Sequence, residues 1–501
     1  MDSVVMWSWI LMTLFIILML ALGVVGMKRT HNSDDFATAR SSYGPITIAL
    51  VIAAGISSGS TFMGMPGLAY AVGAPSLWYP LLYPVATVFG MLFFAKAIKE
   101  YGDRLGTRTI PEFIGNRYNS SFLRVVLALI SILLIFYVIS QLVAAATMFQ
   151  IMMGINYNTG IIITVVVIGI YVFMGGSHSD ILTDAIQGLL MVLVAIIVVV
   201  CFSLGVGVEG GFGELINRIN ERRPDGTFDK LFLSNDPTYG NMWLVLLLLI
   251  AHIPFAVQPH LGNKFMAVKS TKDLKNLLMF TTVFATILPL MGLGGMLAIG
   301  VLDPNSEIRP DAVIPTLFTE IFPPVVAAFL AVAVLSAVMS TSDGLVVSLT
   351  QILANDLFRL SIVPKMNISE EKAEKYEMQI SRYSTFLFLI LAGIVAWNPP
   401  EFLSIFMWIG IGGIVSATAG PLVVGSLWKR ANRISAIISL VMGTISYWFI
   451  YLPFGLNVSN PFAAAGYGVI ISMITMVIAT LVTSKPTDNN LLLFDEIVEE
   501  M

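Results

Sequence analysis

The sequence has little charge, few histidines and one cysteine among its 501 residues. Charged residues make up 12 % of the chain, whereas ordinary soluble domains contain about 25 %. The lone Cys201 excludes an intramolecular disulfide framework and gives no cysteine cluster for a metal. With four histidines and no HExxH pattern, the chain also lacks the signature of a zinc hydrolase. A net charge of −4 gives no basic surface for nucleic acid.

Apolar residues dominate instead, at 57 % of the chain, and the mean hydropathy is +0.86. Runs such as "VVMWSWILMTLFIILMLALGVVG" and "GIIITVVVIGIYVFM" are long enough, or nearly so, to cross a hydrocarbon core of about 30 Å. The first of these runs is too long for a signal peptide and has no small-residue cleavage site, so we expect it to remain as the first helix. The composition therefore predicts an all-α polytopic membrane protein.

Glycine, proline and charge clusters divide the apolar runs into about thirteen predicted transmembrane helices. They lie near residues 4–26, 44–72, 76–96, 122–152, 157–177, 184–207, 241–260, 276–302, 322–354, 383–398, 401–428, 434–453 and 461–483. We expect residues 1–484 to form a single transmembrane domain, followed by a short acidic cytoplasmic tail over 485–501.

An odd number of crossings puts the two termini on opposite sides of the membrane, and the positive-inside rule distinguishes the two orientations. If the N-terminus is outside, the inward-facing segments contain 22 of the 27 Lys and Arg residues and the outward-facing segments contain five. This asymmetry predicts an external N-terminus and a cytoplasmic C-terminus in the cytoplasmic (inner) membrane.

Two predicted helices are interrupted at matching positions. Helix 2 contains "LVIAAGISSGSTFMGMPG" and helix 7 contains "LLLLIAHIPFAVQPHLGNKF". Either interruption alone could simply loosen helix packing. Paired interruptions, each in the first helix of a five-helix unit, are typical of inverted-repeat transporters that bind near the membrane midplane. The two units would be helices 2–6 (about 44–207) and helices 7–11 (about 241–428).

Four motifs resemble the sodium/solute symporter family: "YGPITIALVIAAGISSGSTFMGMPGLAY", "SDILTDAIQGLLM", "QPHLGNKFMAV" and "LSAVMSTSDGL". They occur in family order, and the resemblance extends over about residues 5–455. Within the family, "DAVIPTLFTEIFPPVVAAFLAVAVLSAVMST" and "AWNPPEFLSIFMWIGIGG" are most similar to sodium/pantothenate symporters. The acetate and monocarboxylate branch comes next, and proline permeases are more distant. The resemblance implies a LeuT-like core of two inverted five-helix repeats and sodium-driven uptake.

The resemblance also implies a sodium site between helices 2 and 9. Its ligands would be the carbonyls of Ala54, Ser57 and Ala337 and the hydroxyls of Ser340 and Thr341. Independent chemistry agrees, because a hard cation prefers oxygen ligands and an unwound helix frees carbonyl groups. In the alternative interpretation, the two hydroxyls only bond back to the preceding turn of their own helix.

Two aspartates are candidates for a second cation site or a coupling role. Asp184 opens predicted helix 6, where the helix dipole alone would stabilise a carboxylate, but family members use an aspartate here in sodium binding or release. Asp343 lies at the centre of predicted helix 9, where a charge costs roughly 2.5–3.5 kcal/mol, so it needs a functional reason. Asp343 and Gly344 replace hydroxyl residues that bind a second sodium in some relatives. Ile56 replaces an aspartate of the proline branch, so any coupling role of that group is absent.

The candidate substrate pocket surrounds the two interruptions. Its predicted residues are Ser58, Thr61, Phe62, Tyr137, Gln141, His252, Phe255, Gln258, Pro259 and Trp408. By resemblance, Tyr137, Phe255 and Pro259 align with positions where proline-type relatives bind substrate. We expect no Arg or Lys within the core crossings, so His252 would either donate to a substrate carboxylate or remain neutral and bond to a neighbouring helix. His260 is expected at the membrane interface, just before a cytoplasmic lysine cluster that begins at Lys264.

The predicted function is sodium-coupled import of a small organic carboxylate, with pantothenate favoured, by alternating access in a protein that acts as a monomer. Sodium would be the coupling ion, with no other cofactor and no other metal. Acetate-type monocarboxylates and proline-like zwitterions remain alternative solutes. A membrane-embedded enzyme would need a nucleophile–base pair or a metal cluster, and a sensor would need a signalling domain that the short tail cannot provide.

Overall fold

The computed structural model describes residues 2–398, 403–426, 428–453, 455–456 and 458–486. Helices account for nearly all of the regular structure in these ranges, where β-type pairing is limited to an isolated bridge between Tyr43 and Val268. The prediction of an all-α membrane protein is confirmed. Of the predicted tail, residues 487–501 lie outside the described residues.

The membrane helices are labelled α1 to α13 in chain order. Their bounds are α1 Asp2–Arg29, α2 Pro45–Ile56 and Ser60–Val72, α3 Trp78–Leu105, α4 Ser121–Met153, α5 157–175, α6 177–204, α7 Met242–Val257 and Pro259–Ala267, α8 Thr271–Val301, α9 Pro324–Gln351, α10 Glu370–Ala396, α11 Leu403–Thr418, α12 Arg433–Tyr451 and α13 Pro461–Val482.

The number of crossings in the described residues depends on how the bent helices are counted. Ten helices are long and apolar enough to span a membrane, and two bent pairs raise the number to twelve. One of the ten, Tyr157–Leu204, has 48 residues, or about 72 Å at 1.5 Å per residue, more than twice the thickness of a hydrocarbon core. Gly176 interrupts it with φ 51° and ψ −133°, a conformation that favours glycine. Dividing the helix there yields α5 and α6, and thus thirteen crossings.

Shorter helical segments connect or extend these crossings. They are Ser33–Thr38, Ala74–Leu77, Ile110–Arg117, Gly211–Arg222, Pro310–Ala312, Val313–Ile321 and Val363–Lys365, with π-helical turns at Ile352–Arg359 and Ala419–Val424. Gly211–Arg222 lies against the end of α8, because Arg222 donates to the carbonyl of Leu302 at 2.8 Å. This contact provides a partner for a carbonyl just beyond a helix C-terminus.

Most predicted boundaries agree with the structure to within a few residues, but α10 starts well before the predicted 383. Its first turn is capped by Ser369, whose side chain accepts from the backbone N–H of Lys372. The polar stretch that follows has good helix formers. Hydropathy marks only the part of a helix that lies in lipid, which explains why the prediction missed this extension.

The interruptions of α2 and α7 are real breaks. The two halves of α2 meet at 56° and those of α7 at 50°. At the α2 break, Ser57 has φ −101° and ψ 83°, outside the helical range. At the α7 break, α3 comes so close that a Cβ built on Gly90 would lie 1.9 Å from the carbonyl oxygen of Ile253. Only a glycine lets α3 approach the broken backbone this closely.

Helix α9 lies at the centre of the protein. It packs against α1, α4, the α5–α6 pair and both halves of α2, and its residues from Leu330 to Gln351 are all buried. The polar residues of α9 therefore face other helices rather than lipid, and the breaks of α2 and α7 lie in the same interior.

Candidate functional site

The predicted sodium ligands are all buried, and those on α9 lie close together. The hydroxyls of Ser340 and Thr341 each lie 3.2 Å from the carbonyl oxygen of Ala337. On α2, Ala54 and Ser57 are fully buried at the point where the first half of the helix ends. The turn that follows packs against α9, since a Cβ on Gly59 would lie 2.7 Å from the side chain of Val338.

These distances fit both interpretations of the α9 hydroxyls. Ser340 and Thr341 donate to their own helix, as the back-bonding alternative requires. Each hydroxyl oxygen nevertheless retains its lone pairs when it donates. Three oxygen atoms are thus gathered within one turn of α9, an arrangement that can contribute ligands to a hard cation.

A cluster of three carboxylates lies beside this turn. Asp180 and Asp184 on α6 and Asp343 on α9 each offer an oxygen atom, and these atoms all lie within 4.8 Å of one another. All three side chains are buried. The ammonium group of Lys264, from the second half of α7, bonds to Asp180 and lies 3.4 Å from Oδ2 of Asp184.

The carboxylate of Asp343 accepts hydrogen bonds from two further groups. The hydroxyl of Tyr171 on α5 donates to its Oδ2 at 2.9 Å, and the backbone N–H of Gly344 donates to its Oδ1 at 2.9 Å. The hydroxyl of Thr183 lies at 3.4 Å from the same Oδ2. The carboxylate in the middle of α9 is therefore part of a polar network that joins α5, α6, α7 and α9.

Three expectations about this region were wrong. Asp184 does not open α6, because the break is at Gly176 and Asp184 lies about two turns further on. The helix dipole therefore does not explain this carboxylate. Lys264 is 7 % exposed and lies inside the protein rather than in a cytoplasmic cluster. His260 is also buried, with its ring 5.7 Å from that of Tyr137 rather than at the interface.

The sequence reasoning missed Asp180, Lys264 and Tyr171 as members of this network. One signal was available: Asp180 and Asp184 are four residues apart, and two residues four apart on a helix lie on one face. The partners of these aspartates come from distant parts of the chain, so spacing alone did not indicate them.

Aromatic rings surround His252 at the α7 break. They belong to Tyr79, Tyr83, Phe255, Trp408 and Phe462, with centroids 4.5 to 6.3 Å from the imidazole. The indole N–H of Trp408 donates to the hydroxyl of Tyr79 at 3.2 Å. Three of these residues, His252, Phe255 and Trp408, were predicted to line the pocket, and they do lie together. Tyr79, Tyr83 and Phe462 were missed.

His252 makes its hydrogen bond within its own helix, not to a neighbouring one. Its Nδ1 lies 2.7 Å from the carbonyl oxygen of Leu248. A carbonyl only accepts, so we assign the proton of the ring to Nδ1, and Nε2 of the neutral ring is then an acceptor. In this form Nε2 of His252 can accept a hydrogen bond from a hydroxyl or amide group but cannot donate one to a carboxylate.

Two of the remaining predicted pocket residues bond to the backbone of the α2 break, and three others are buried in the turns that follow the breaks. Gln141 accepts from the backbone N–H of Gly59 at 2.9 Å, and Ser58 accepts from that of Ser60 at 3.1 Å, so both hold the α2 break. The residues Thr61, Phe62 and Pro259 are buried in the turns that follow the breaks.

Several buried side chains near the breaks, Ser60 and Asn263 included, have polar atoms without a hydrogen-bond partner among the described residues. Three of them lie at positions that matter for the substrate pocket. They are the hydroxyl of Tyr137, both amide atoms of Gln258 and both ring nitrogens of His260. Ser58 lies near the Tyr137 hydroxyl, but not in hydrogen-bonding geometry. Buried polar atoms are normally paired, so these five atoms mark a place where a polar ligand is expected.

Comparison with known proteins agrees with this geometry. A model of the sodium:solute symporter family matches residues 36–443. The chain belongs to the sodium:solute symporter family. Its relatives include a sodium/pantothenate symporter from Haemophilus influenzae, which is 28 % identical over 92 % of each chain. An osmoregulated proline transporter from Bacillus subtilis is also 28 % identical, over 96 % of each chain.

Solved structures show the same fold. A substrate-bound, outward-open structure of a Na+-coupled sialic acid symporter matches 96 % of this chain and 99 % of its own, with a TM-score of 0.78 and 20 % identity. Mhp1, a nucleobase-cation-symport-1 family transporter in a closed conformation, matches with a TM-score of 0.59 and 12 % identity. The expected LeuT-like fold is confirmed.

Family membership confirms the coarse part of the predicted function. The protein is a multi-pass membrane transporter that couples a small-molecule solute to sodium, and it is not an enzyme. The relatives differ in their solute, since a pantothenate symporter and a proline transporter are both 28 % identical to this chain. The expectation that proline permeases are more distant was therefore wrong.

Proposed function

We propose that this protein imports a small organic carboxylate, with pantothenate as the first candidate, together with sodium by alternating access. The observation that carries the proposal is the set of unpartnered buried atoms of Tyr137, Gln258 and His260 at the breaks of α2 and α7. Broken helices near the midplane are where transporters of this type bind solute and coupling ion.

The neutral polar groups suit a solute with hydroxyl and amide groups in addition to its carboxylate. Gln258 can both donate and accept, and Nε2 of His252 can accept, whereas the surrounding rings of Phe255 and Trp408 provide apolar contact. Pantothenate contains two hydroxyls, an amide, a carboxylate and a methyl-bearing chain, which match this mixture. A bare acetate-type anion would leave several of these atoms without a partner.

The first sodium ion is proposed to bind between α2 and α9, at the carbonyls of Ala54, Ser57 and Ala337 and the hydroxyls of Ser340 and Thr341. The site is supported by the packing of the turn after the α2 break against α9, where a Cβ on Gly59 would lie 2.7 Å from the side chain of Val338. The end of the first half of α2 provides carbonyl groups that no longer have a helical partner.

A second cation is proposed to bind at Asp184 and Asp343. The reason is energetic: a monoanionic solute that travels with one sodium ion is neutral, so the membrane potential does no work on it. A second cation makes the complex positive, and each charge moved through 100 mV is worth about 2.3 kcal/mol, or roughly 50-fold in accumulation. The close grouping of the carboxylates supports this role.

The remaining proposals concern topology and assembly. The N-terminus is proposed to lie outside and the C-terminus in the cytoplasm, because 22 of the 27 basic residues then face inward. One chain contains both broken helices and the full set of pocket residues, which supports a single transmembrane domain that functions as a monomer.

A competition experiment tests the solute. Purified protein in proteoliposomes takes up labelled pantothenate under an inward sodium gradient, while unlabelled proline, acetate or pyruvate is added in excess. The expected result is sodium-dependent pantothenate uptake that none of the three competitors reduces. Uptake of labelled proline with no uptake of pantothenate would contradict the proposal and assign the protein to the proline branch.

A further inference from the structure

The carboxylate cluster already contains one positive charge. Three aspartates face one another, and the only cation bonded to them among the described residues is Lys264. The hydroxyls of Tyr171 and Thr183 lie against Asp343. The side chains of His260 and Asn263, which have no hydrogen-bond partner among the described residues, line the cavity beside Asp180 and Lys264. If the carboxylates are ionised, three negative charges face one ammonium group, and the cluster remains two charges short of balance.

The cluster also has oxygen atoms that no protein group uses. Oδ1 of Asp180 and Oδ1 of Asp184 are buried and have no hydrogen-bond partner among the described residues. Gly344 leaves space beside Asp180, because a Cβ built there would lie 3.5 Å from Oδ1 of Asp180 and 3.8 Å from Nζ of Lys264. A small cavity lined by Asp180, His260, Lys264 and Gly344 opens at this point. Unused buried oxygens beside a space are a place for a cation.

Lys264 reaches the cluster from the helix that also contains the α7 break. It is in the second half of α7, six residues after Gln258 at the break. Its ammonium group contacts Asp180 and Oδ2 of Asp184, so it covers one side of the cluster and leaves Oδ1 of both residues free.

We propose that Lys264 is a resident cation that fills part of the second cation site and thereby sets how many sodium ions the protein binds. This inference rests on the proposed function, in which the first sodium ion binds between α2 and α9. With Lys264 present, the cluster binds one sodium ion, and the hydrogen bonds from Tyr171 and the backbone of Gly344 stabilise the remaining negative charge. Without its charge, the same three carboxylates bind about one more, because opposite charges in a buried site must be paired.

Lys264 lowers the number of sodium ions that the cluster binds, whereas Asp180 raises it. Its carboxylate holds the ammonium group of Lys264 to one side of the cluster. Without that partner, the ammonium group moves fully onto Asp184, which lies 3.4 Å away and is a proposed ligand of the second sodium ion. Removing the charge of Asp180 therefore lowers the number of bound sodium ions by about one.

The test counts radioactive sodium ions bound per chain at equilibrium, in purified protein without solute. Relative to the wild type, Lys264→Gln is expected to bind about one more sodium ion and Asp180→Asn about one fewer. The double variant Asp180→Asn/Lys264→Gln has the wild-type balance of charge, so its count is expected to match the wild type. Lys264→Arg and the exposed control Lys269→Gln are also expected to match it.

The double variant keeps the test decisive if a single variant fails to fold, because its cluster contains no added net charge. Equal sodium counts in wild type, Lys264→Gln and Asp180→Asn would overturn the inference, as would a double variant whose count differs from the wild type. If the wild-type protein binds no sodium at all, the proposed function fails instead. Because no solute is present, an error in the identity of the solute does not affect the result.

Discussion

Replacing Thr341 by alanine or by serine isolates one proposed sodium ligand. Thr341 is fully buried on α9, and its hydroxyl lies 3.2 Å from the carbonyl oxygen of Ala337. Alanine removes the hydroxyl and the methyl group, whereas serine removes the methyl group only. The difference between the two variants therefore measures the oxygen atom alone.

The size of the effect follows from the chemistry of the contact. A hydrogen-bonding group that interacts with a charge contributes about 1.5–3 kcal/mol. We take this range for the hydroxyl ligand, and it corresponds to a rise of about 10- to 150-fold in the sodium concentration for half-maximal uptake. The hydrogen bond to Ala337 contributes only about 1 kcal/mol to folding, so Thr341→Ala is expected to insert and fold normally.

The assay is initial solute uptake into proteoliposomes as a function of external sodium. Ser342→Ala is the matched control, because Ser342 is equally buried on the same helix and bonds to the carbonyl of Val338 at 2.7 Å. We expect a large shift for Thr341→Ala and values close to wild type for Thr341→Ser and Ser342→Ala. If Thr341→Ala and Thr341→Ser have the same sodium dependence, the hydroxyl is not a ligand and the site between α2 and α9 is wrong.

Three further predictions test other parts of the account. Tyr137→Ala and Gln258→Ala are expected to weaken solute affinity more than sodium affinity, because their buried polar atoms have no partner among the described residues and are proposed to bind the solute. Unchanged solute binding by calorimetry in both variants would show that the pocket lies elsewhere. Asp343→Asn is expected to keep sodium-dependent uptake but to lose the stimulation of uptake by an inside-negative potassium-diffusion potential. Equal stimulation in wild type and variant would show that Asp343 has only a structural role. Gly90→Ala is expected to abolish transport and lower thermal stability, since its Cβ would lie 1.9 Å from the carbonyl of Ile253; wild-type stability would show that α3 need not approach α7 so closely.

Controls for these variants come from the same helices. For Tyr137, the variant Tyr137→Phe removes only the hydroxyl and separates hydrogen bonding from packing. For Asp343, the variant Asp343→Glu keeps the charge and is expected to retain part of the voltage stimulation. For Gly90, the variant Phe89→Ala alters an exposed neighbour on α3 and is expected to leave stability nearly unchanged.

The architecture was largely predictable because the membrane imposes simple rules on the sequence. Apolar length marked the crossings, and Pro254 and Pro259 marked the break of α7. Backbone polar groups in lipid must be satisfied within a helix, so such interruptions occur only where the protein encloses them. The end of α5 was predicted to within a few residues of the break at Gly176, but the start of α6 was placed too late, because only one non-helical residue separates the two helices.

The site was predictable only in part, since it depends on contacts between distant segments. His252 was found because it borders the α7 break, and Trp408 was named as a residue of helix 11, but Tyr79 and Phe462 reach the same histidine from α3 and α13. Lys264 was misplaced because a lysine near the end of an apolar run usually faces the cytoplasm. Its burial follows from two carboxylates that the same interior contains.

The tertiary packing of α7 explains why Lys264 was wrongly expected to face the cytoplasm. Because the second half of α7 bends by 50° at the break, Lys264 turns toward α6 instead of continuing to the membrane surface. A bend angle of this kind is set by neighbouring helices, and no local pattern in "QPHLGNKF" specifies it.

The most direct test of the central claim measures whether a sodium gradient alone concentrates the solute. Purified protein is reconstituted into proteoliposomes with equal labelled pantothenate on both sides, and sodium is then added only outside. The account predicts that internal solute rises transiently above the external concentration, and that an equal potassium gradient gives no rise. Solute that never exceeds the external concentration, or that rises equally with potassium, would contradict sodium-coupled symport of this solute.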